Sequence, residues 1–483
     1  MSALSTFLNG VNRLGSIKGA GKIAPKLSNS EFCFSNTSKS EHFTAGFGKA
    51  PMVPSDIEKR KYYIAGYRAN NPARGVIDPQ YASAVWLDDN SGSGGVLFIS
   101  LDVVGLLNKD VSELKRRLSE FKLKTGCRKI TVFATHNHAG IDTMGLWGPL
   151  PLSGKDKKFM ELLYTSCVCA AFEAYNTRKK GRVFYGSAEV PDLQEDIRLP
   201  EVYSKKLTRL RFVPEDAGNE IWIVNFASHS ESLQGCNSLV SADFPCYFRE
   251  YIREKTGAET LYGVGAIGGM ISMKIEDENI LRDEHRLLES TRKIGYALAR
   301  YALTIKDEKE LEPRISYITQ EFYVPVENTL LTIAAAAGII SVDRYFLPAP
   351  AVKTELSYFE IGSLPLLFLP CELFPELAYG GYLKAEESAT GKGSEMNPPP
   401  LIDICGNNEL IIFGLSNDEI GYVIPPNDYW LNEKKPYLDK GIDRLGRRHY
   451  EETNSAGPDA AKAIADALIK AMKNVNETKR RYL

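Results

Sequence analysis

The sequence lacks several features that would place it in a special class of protein. None of its eight cysteines forms a CxxC pair, which argues against a zinc ribbon and against a disulfide framework. No apolar run approaches the roughly 18–20 residues that a transmembrane helix needs, and LTIAAAAGIISV at 331–342 is too short. The first forty residues lack the apolar core and cleavage site of a signal peptide. We therefore expect a cytoplasmic protein without a transmembrane segment.

The sequence also lacks an excess of charge of either sign. Its 59 Lys and Arg residues nearly balance its 61 Asp and Glu residues, which gives a formal net charge of −2. Such a chain has no general electrostatic attraction for nucleic acids or anionic membranes. We therefore expect no nucleic-acid partner, and the sequence makes no prediction of an oligomeric state.

Strand-like and helix-like segments alternate from His42 onward. The predicted strands lie at 94–104, 130–135, 220–229, 364–372 and 409–418, and the predicted helices at 110–126, 155–179, 243–257, 283–305 and 456–474. This alternation favours an α/β fold with mixed, partly parallel sheet layers and flanking helices. Ligand sites in such folds lie at the carboxyl ends of strands, so we expect the active site there.

Metal-binding residue types cluster at these predicted strand ends. His136 and His138 follow one strand, His229 follows another, Glu372 ends a third, and Tyr422 comes shortly after a fourth. Imidazole and carboxylate ligands around an open water position are typical of catalytic zinc sites, which generate hydroxide near neutral pH. The pattern therefore indicates a metal-dependent hydrolase.

Three other known patterns fit less well. HNHAGI lacks the Asp-His half of the HxHxDH motif of metallo-β-lactamases. An amidohydrolase barrel would use His285 as a further ligand, but that residue lies in a charged amphipathic helical pattern. GVGAIGG at 263–269 matches GxGxxG, but the residues after it do not form the helix that a dinucleotide site needs. We expect a glycine-rich strand and loop there instead.

Several segments, in the same order, resemble the catalytic domain of the neutral/alkaline (non-lysosomal) ceramidase family. ATHNHAG (134–140) is similar to the family's THTHSG, LFLPCELF (367–374) to its LPGEFT, and DEIGYVIPPNDYW (418–430) to its GYITTYEEY. Further similar segments are TAGFGKAPMVP (44–54), DIRLPEVYSKKLTRLRF (196–212), FASHSES (226–232), VSADFPCYF (240–248) and GAIGGMIS (265–272).

The resemblance extends over about 44–457 and has consequences for domain organisation. It implies that residues 41–483 form a ceramidase-like α/β catalytic domain without the carboxyl-terminal immunoglobulin-like domain of the family's secreted members. We expect residues 1–40 to form a flexible leader or arm. Asn137 and Ala139 replace residues of the family motif, which alters the walls around the implied metal ligands and leaves those ligands in place.

The resemblance also implies roles for individual residues. It implies four zinc ligands, which are His136, His229, Glu372 and Tyr422. His138 would transfer protons beside the metal, Arg198 would face the substrate oxygen and stabilise an oxyanion, and Tyr450 would match a further active-site tyrosine. The implied reaction is hydrolysis of the amide bond of ceramide or a related N-acyl compound, so the expected partner is a lipid or small molecule with such a bond.

Two other interpretations remain open. The protein could be a different metal-dependent hydrolase, such as an amidohydrolase, esterase or lactonase that acts on a small polar substrate. It could also be a non-catalytic relative that binds a ligand in the same pocket. Dependence on His285 instead of Glu372 and Tyr422 would favour the first, and ligand binding without metal would favour the second.

Overall fold

A computed structural model of the chain describes residues 22–23, 25–27, 30–35, 38–275, 277–347 and 349–481. The strands in these ranges are β1 (Lys22–Ile23), β2 (Glu31–Cys33), β3 (Phe43–Pro51), β4 (Tyr81–Asp88), β5 (Val96–Leu101), β6 (Lys129–Ala134), β7 (Lys179–Glu189), β8 (Gln194–Asp196), β9 (Lys206–Pro214), β10 (Ile221–Phe226), β11 (Glu259–Val264), β12 (Ile271–Met273), β13 (Lys309–Leu311), β14 (Ile315–Pro325), β15 (Arg344–Leu347), β16 (Ala349–Ile361), β17 (Leu364–Phe368), β18 (Glu372–Leu373), β19 (Ile411–Phe413), β20 (Tyr422–Val423), β21 (Gly441–Ile442) and β22 (Arg448–His449). The α-helices are α1 (Asn108–Arg117), α2 (Ser119–Thr125), α3 (Lys157–Asn176), α4 (Asp243–Thr256), α5 (Glu284–Leu303), α6 (Thr329–Ala336), α7 (Pro375–Tyr379), α8 (Leu401–Cys405) and α9 (Ala460–Arg481).

Two large sheets form the centre of the molecule. The first has nine strands in the order β11-β10-β9-β7-β3-β4-β5-β6, with β13 beside β7. The second has seven strands in the order β1-β15-β16-β14-β2, with β17 beside β16 and β19 beside β17. The pairs β5–β6, β10–β11 and β17–β19 are parallel and most others are antiparallel. The predicted mixed, partly parallel α/β fold is therefore confirmed.

Successive side chains point to opposite faces of each strand, and this divides the core into layers. In β5, Leu97 and Ile99 belong to the cluster that packs against the helices, whereas Val96 and Phe98 face the other sheet. This period-2 pattern is expected of a strand that is buried on both faces. Between the two sheets, five aromatic rings contact one another in stacked, tilted or edge-to-face arrangements, namely Phe98, Phe133, Phe359, Phe368 and Phe413.

The nine-stranded sheet coils until its two ends pack against each other. The Ser100 hydroxyl of β5 donates to the Tyr262 carbonyl of β11 at 2.6 Å, although these strands are far apart in the strand order. A Cβ atom on Gly263 would lie 2.7 Å from the Phe413 ring and 3.0 Å from the Phe133 ring, so only glycine fits there. Because right-handed strand twist accumulates across a sheet, its first and last strands can meet in this way. The residues after β6 are thereby brought to those after β10.

Most predicted elements are confirmed, with differences at their ends. The strand predicted at 364–372 ends at Phe368, so Glu372 does not end it and is instead the first residue of β18. The predicted helix at 110–126 is interrupted at Leu118, which separates α1 from α2. GVGAIGG is the end of β11 followed by a loop, as predicted. Within the predicted leader, β1 pairs with β15 and β2 pairs with β14, while residues 1–21 lie outside the described residues.

The apolar run at 331–342 forms most of the short helix α6 and the turn that follows it. In the described part of the chain, no helix combines the length and the apolar character that crossing a membrane requires.

We predict that Phe368→Ala destabilises the protein strongly, because this ring is 1% exposed and contacts four other rings between the sheets. Removing a buried Phe ring costs about 3–5 kcal/mol of unfolding free energy. The measurement is urea unfolding followed by circular dichroism. Leu123→Ala is the control, because that side chain is 87% exposed and its loss costs about 0.5 kcal/mol or less. Equal losses in the two variants would contradict this layered core.

Candidate metal centre

The loop after β6 holds the His136–His138 pair in place through backbone hydrogen bonds. The amides of Thr135 and Asn137 donate to Leu101 and Val103, and the amide of His138 donates to Ser230 at 2.9 Å. His136 itself has a positive φ of 55°, a backbone conformation that histidine adopts more readily than most residues. These contacts attach the pair both to β5 and to the segment after β10.

His136 and His229 are oriented by carbonyl groups on the outer side of each ring. Nδ1 of His136 lies 2.8 Å from the Val104 carbonyl, and Nδ1 of His229 lies 2.8 Å from the Ile271 carbonyl. Since a carbonyl only accepts hydrogen bonds, each Nδ1 carries a proton, and in the neutral form of each ring Nε2 presents a lone pair. The ring centroids are 4.7 Å apart, so both lone pairs lie at one buried point.

Glu372 brings a carboxylate to the same point. Its Oε2 lies 3.0 Å from Nε2 of His229 and 3.3 Å from Nε2 of His136. Burial by itself would raise the pKa of Glu372, but the two histidines outweigh that effect and hold this pKa well below its usual range. Burial would lower the pKa of His229, whereas the hydrogen bond to Glu372 and nearby carboxylate charges raise it to about 9. The three acceptor atoms thus need a shared proton or a cation between them.

His138 contributes a third imidazole. Its Nε2 lies 3.0 Å from Nε2 of His136, and the ligand atoms of the three histidines lie within 4.8 Å of one another. Burial and the neighbouring His136 lower the pKa of His138 to about 3, so its imidazole is neutral at pH 7. This buried group of three histidines could hold a metal ion.

Tyr422 is next to Glu372 through the pairing of β18 with β20, in which the two residues are register partners. Its ring is buried and packs edge to face against Phe374, and its hydroxyl donates to Sδ of Met270 at 3.1 Å. Burial and the Glu372 carboxylate raise the pKa of Tyr422. Tyr422, which was predicted from the sequence as a metal ligand, therefore lies in the wall of the site, and its hydroxyl is hydrogen-bonded to Met270.

Arg198 lies in a buried cluster of carboxylates beside the site. Its guanidinium donates to Glu451 at 2.8 Å, to Glu452 at 2.9 Å and to Asp428 at 3.2 Å, and it lies 5.0 Å from the centre of the Phe374 ring. Burial lowers the pKa of Arg198, but these carboxylates outweigh burial and raise it, so the side chain stays charged.

Tyr450 immediately precedes this acidic segment and is 40% exposed. Burial of its hydroxyl raises the pKa of Tyr450, and the carboxylates of Glu372 and Glu231 add to that effect. The hydroxyl is therefore within electrostatic range of both carboxylates, although the side chain remains open to solvent.

His285 is remote from this cluster. It lies on α5 with an 82% exposed side chain and its nearest ion-pair partner is Glu289, at 3.8 Å. This placement agrees with the amphipathic helical pattern of the sequence and removes the ligand that an amidohydrolase arrangement would require.

Sequence reasoning missed two acidic residues near the histidines. Glu231 is buried and contacts His138, Tyr67 and Ser272. Glu419 is also buried, accepts from the Gly421 amide at 2.7 Å, and has a pKa that burial and the charge of Glu372 raise well above its usual value. The signal for Glu231 was present, because it follows His229 by two residues, whereas the position of Glu419 depends on tertiary contacts.

Two cavities in the structure lie away from these histidines. One, of about 400 Å³, lies between β14 and α9. The other, of about 310 Å³, has a charged lining that includes Lys115, Lys129 and Glu355, near the amino end of β6. Because His136 follows the carboxyl end of the same strand, the second cavity is at the opposite end of the sheet from the histidine group.

Solved ceramidase structures share this fold. Neutral ceramidase from Pseudomonas aeruginosa is similar with a TM-score of 0.68 and 17% sequence identity, over 91% of this chain and 75% of that chain. A second structure, a ceramidase complexed with C2, has a TM-score of 0.67 and 15% identity, over 91% of this chain and 76% of that chain. No protein-family model and no curated protein sequence matches this chain. The fold is thus ceramidase-like at very low sequence identity.

We predict that Gly66→Ala displaces His138 and destabilises the protein more than Gly92→Ala. Both glycines have positive φ angles, of 107° and 83°, so both substitutions cost backbone strain of about 1–2 kcal/mol. A Cβ on Gly66 would also lie 2.6 Å from Cβ and Cγ of His138, whereas nothing lies within 4 Å of one on Gly92. Urea unfolding of both variants is the measurement, and equal losses of stability would show that His138 does not pack against Gly66.

Proposed function

We propose that this protein is a zinc-dependent hydrolase that cleaves an amide bond in an N-acyl compound, with ceramide as the leading candidate substrate. The observation that carries the proposal is the convergence of the Nε2 lone pairs of His136 and His229 with the Glu372 carboxylate at one buried point. Buried acceptor atoms that face one another are unfavourable without a proton or a cation between them. The ceramidase-like fold supports the choice of an amide substrate.

The donor set fits zinc. We assign His136, His229, Glu372 and Tyr422 as the residues that would hold the ion, because nitrogen and oxygen ligands without thiolate suit a catalytic zinc site. Val104 and Ile271 orient the two imidazoles in the manner usual for metal-binding histidines. A bound zinc ion would supply a polarised carbonyl and an activated water, which is the chemistry that amide hydrolysis needs.

We assign proton transfer to His138. Its imidazole is neutral, and its Nε2 is 3.0 Å from the ligand nitrogen of His136, so it is next to the position where water would be activated. It could accept a proton from the attacking water and pass it to the leaving amine, which is the general acid–base role that amide cleavage requires.

We place Arg198 and Tyr450 on the wall that faces the substrate carbonyl. Support for Tyr450 comes from its exposure and from the effect of Glu372 and Glu231 on its pKa. Support for Arg198 comes from the family resemblance and from its position over the Phe374 ring. Its donors are occupied by Glu451, Glu452 and Asp428 in this structure, so it would stabilise a developing oxyanion by exchanging one of these partners.

We predict that the purified protein binds zinc and that Glu372→Ala and His229→Ala each weaken this binding. Removing a direct ligand should lower the zinc affinity by more than the roughly 10–100-fold that is typical of removing a residue that only hydrogen-bonds to a ligand. Elemental mass spectrometry after dialysis against zinc measures the metal content. His285→Ala is the matched control, because that histidine is exposed and remote, and it should retain the metal.

Tyr422→Phe in the same series tests the fourth ligand, since it removes only the hydroxyl. An unchanged zinc affinity in this variant would remove Tyr422 from the ligand set. Absence of zinc from every variant and from the wild type would contradict the proposed metal centre as a whole.

We predict metal-dependent release of free amine when the zinc-loaded protein is incubated with a panel of N-acyl sphingosines and N-acyl amino acids. His138→Gln should lower kcat by about 10²–10⁴-fold, because it removes the proton-transferring group. His285→Gln should retain the wild-type rate. Cleavage of esters or lactones alone would favour the other metal-dependent hydrolases, and zinc binding without any cleavage would favour a non-catalytic relative.

A further inference from the structure

A second buried carboxylate, that of Glu231, faces the ring nitrogen of His138 that points away from His136. The Glu231 side chain is 5% exposed, and its Oε2 lies 3.5 Å from Nδ1 of His138. The other ring nitrogen, Nε2, lies 3.0 Å from Nε2 of His136. His138 is thus held between a carboxylate on one edge and the candidate metal centre on the other.

Two hydroxyl groups fix the orientation of the Glu231 carboxylate. The Tyr67 hydroxyl donates to Oε2 at 2.8 Å, and the Ser272 hydroxyl donates to Oε1. Tyr67 also packs edge to face against the His138 ring, with centroids 5.5 Å apart. With both oxygens engaged in this way, the carboxylate cannot rotate away from the imidazole without losing two hydrogen bonds.

Nδ1 of His138 is buried and lacks a hydrogen-bond partner of normal length among the residues that the structure describes. The distance of 3.5 Å to Glu231 is at the long limit for a hydrogen bond, and contacts of this kind tighten when a catalytic site is occupied. An ionised carboxylate only accepts hydrogen bonds, so it favours the form of the imidazole with a proton on Nδ1.

The neutral imidazole of His138 has a second tautomer, and the role of Glu231 is to select between the two. With its proton on Nε2, His138 could donate to the lone pair of His136 across the 3.0 Å contact. That arrangement would occupy the nitrogen of His136 that is assigned to the metal, and it would leave Nδ1 facing the carboxylate without a proton. The choice between the two tautomers therefore decides whether Nε2 of His138 is available as a base.

We propose that Glu231 is a positioning residue that, held by Tyr67 and Ser272, keeps the proton of His138 on Nδ1 and leaves Nε2 as the proton-accepting nitrogen. The tautomer rests on the metal centre of the proposed function, in which Nε2 of His136 binds the ion, and the consequence for catalysis rests on the proposed amide hydrolysis. In this arrangement Glu231 acts through His138 and has no direct contact with the substrate.

The test is ¹⁵N NMR of histidine-labelled protein, in which long-range ¹H–¹⁵N correlations distinguish protonated from unprotonated ring nitrogens. The His138 signals are assigned by comparison with His138→Gln. In the zinc-loaded wild type we expect a protonated Nδ1 and an unprotonated Nε2. In Glu231→Met, which keeps the side-chain length and removes the carboxylate, we expect the proton to move wholly or partly to Nε2.

Glu289→Leu is the matched control, because it removes a carboxylate that lies 3.8 Å from Nδ1 of the exposed His285. This variant should leave the His138 signals unchanged. An unprotonated Nδ1 in the wild type overturns the proposal, even if Glu231→Met does not fold. Retention of the wild-type tautomer in folded Glu231→Met also overturns it.

The kinetic readout separates positioning from a merely structural role. For Glu231→Met we expect kcat to be about 10–100-fold lower while KM and zinc content stay close to the wild-type values. A change in KM or in zinc content with an unchanged kcat would overturn the positioning role. If the wild type cleaves no amide at all but shows the expected tautomer and its dependence on Glu231, the proposed amide hydrolysis fails and the tautomer assignment stands.

Discussion

Coiling of the nine-stranded sheet is the constraint on which the candidate site depends. β6 and β10 are separated by six steps in the strand order, and in a flat sheet the residues that follow them would be far apart. The hydrogen bond from Ser100 to Tyr262 closes the coil, and the Phe layer between the two sheets fills the space behind it. The loop after β6 can then hydrogen-bond to the segment after β10, and the imidazoles of His136 and His229 meet.

Electrostatic interactions then determine which ion or proton can bind at the buried point where these side chains converge. Two imidazole lone pairs and a carboxylate oxygen share one small region, with their outer sides fixed by backbone carbonyls. Burial opposes charge on each group separately, yet the pKa of His229 is raised and that of Glu372 is lowered, so without a cation a proton is shared between them. The same surroundings keep His138 neutral. A metal ion would take the place of the shared proton, because metal-ligating imidazoles are neutral, and His138 beside it would remain a free base.

The fold similarity and the site carry different kinds of information. A TM-score of 0.68 at 17% identity demonstrates that this chain folds like a ceramidase, and a fold by itself does not determine a substrate. Function therefore depends on the residues at the site. Glu231 is one of them, because a carboxylate on the outer edge of His138 affects the reactivity of its inner edge. Arg198 is engaged with Glu451 and Glu452, and this network forms a stiff, polar wall beside Tyr422.

The sequence by itself determined the local elements and the residues placed at their ends. Apolar runs predicted β5, β6 and β10, helical patterns predicted α3 to α5, and the position of His285 on an exposed helix face followed from its charged amphipathic segment. It also placed the histidines just after strands, since these positions depend only on neighbours along the chain, whereas Glu372, predicted to end a strand, is the first residue of β18. The break at Leu118 was not evident, because the apolar periodicity continues through it.

Only the tertiary structure decided which of these residues meet and what surrounds them. The contact of His229 with Glu372 joins residues 143 positions apart, and that of Arg198 with Glu451 joins residues 253 positions apart. Contacts of that range are set by accumulated strand twist, by packing between the sheets and by the paths of loops, none of which leaves a local pattern in the sequence. The protonation states of His138, His229 and Glu372 depend in turn on burial and on those distant partners, so they too were fixed by the fold.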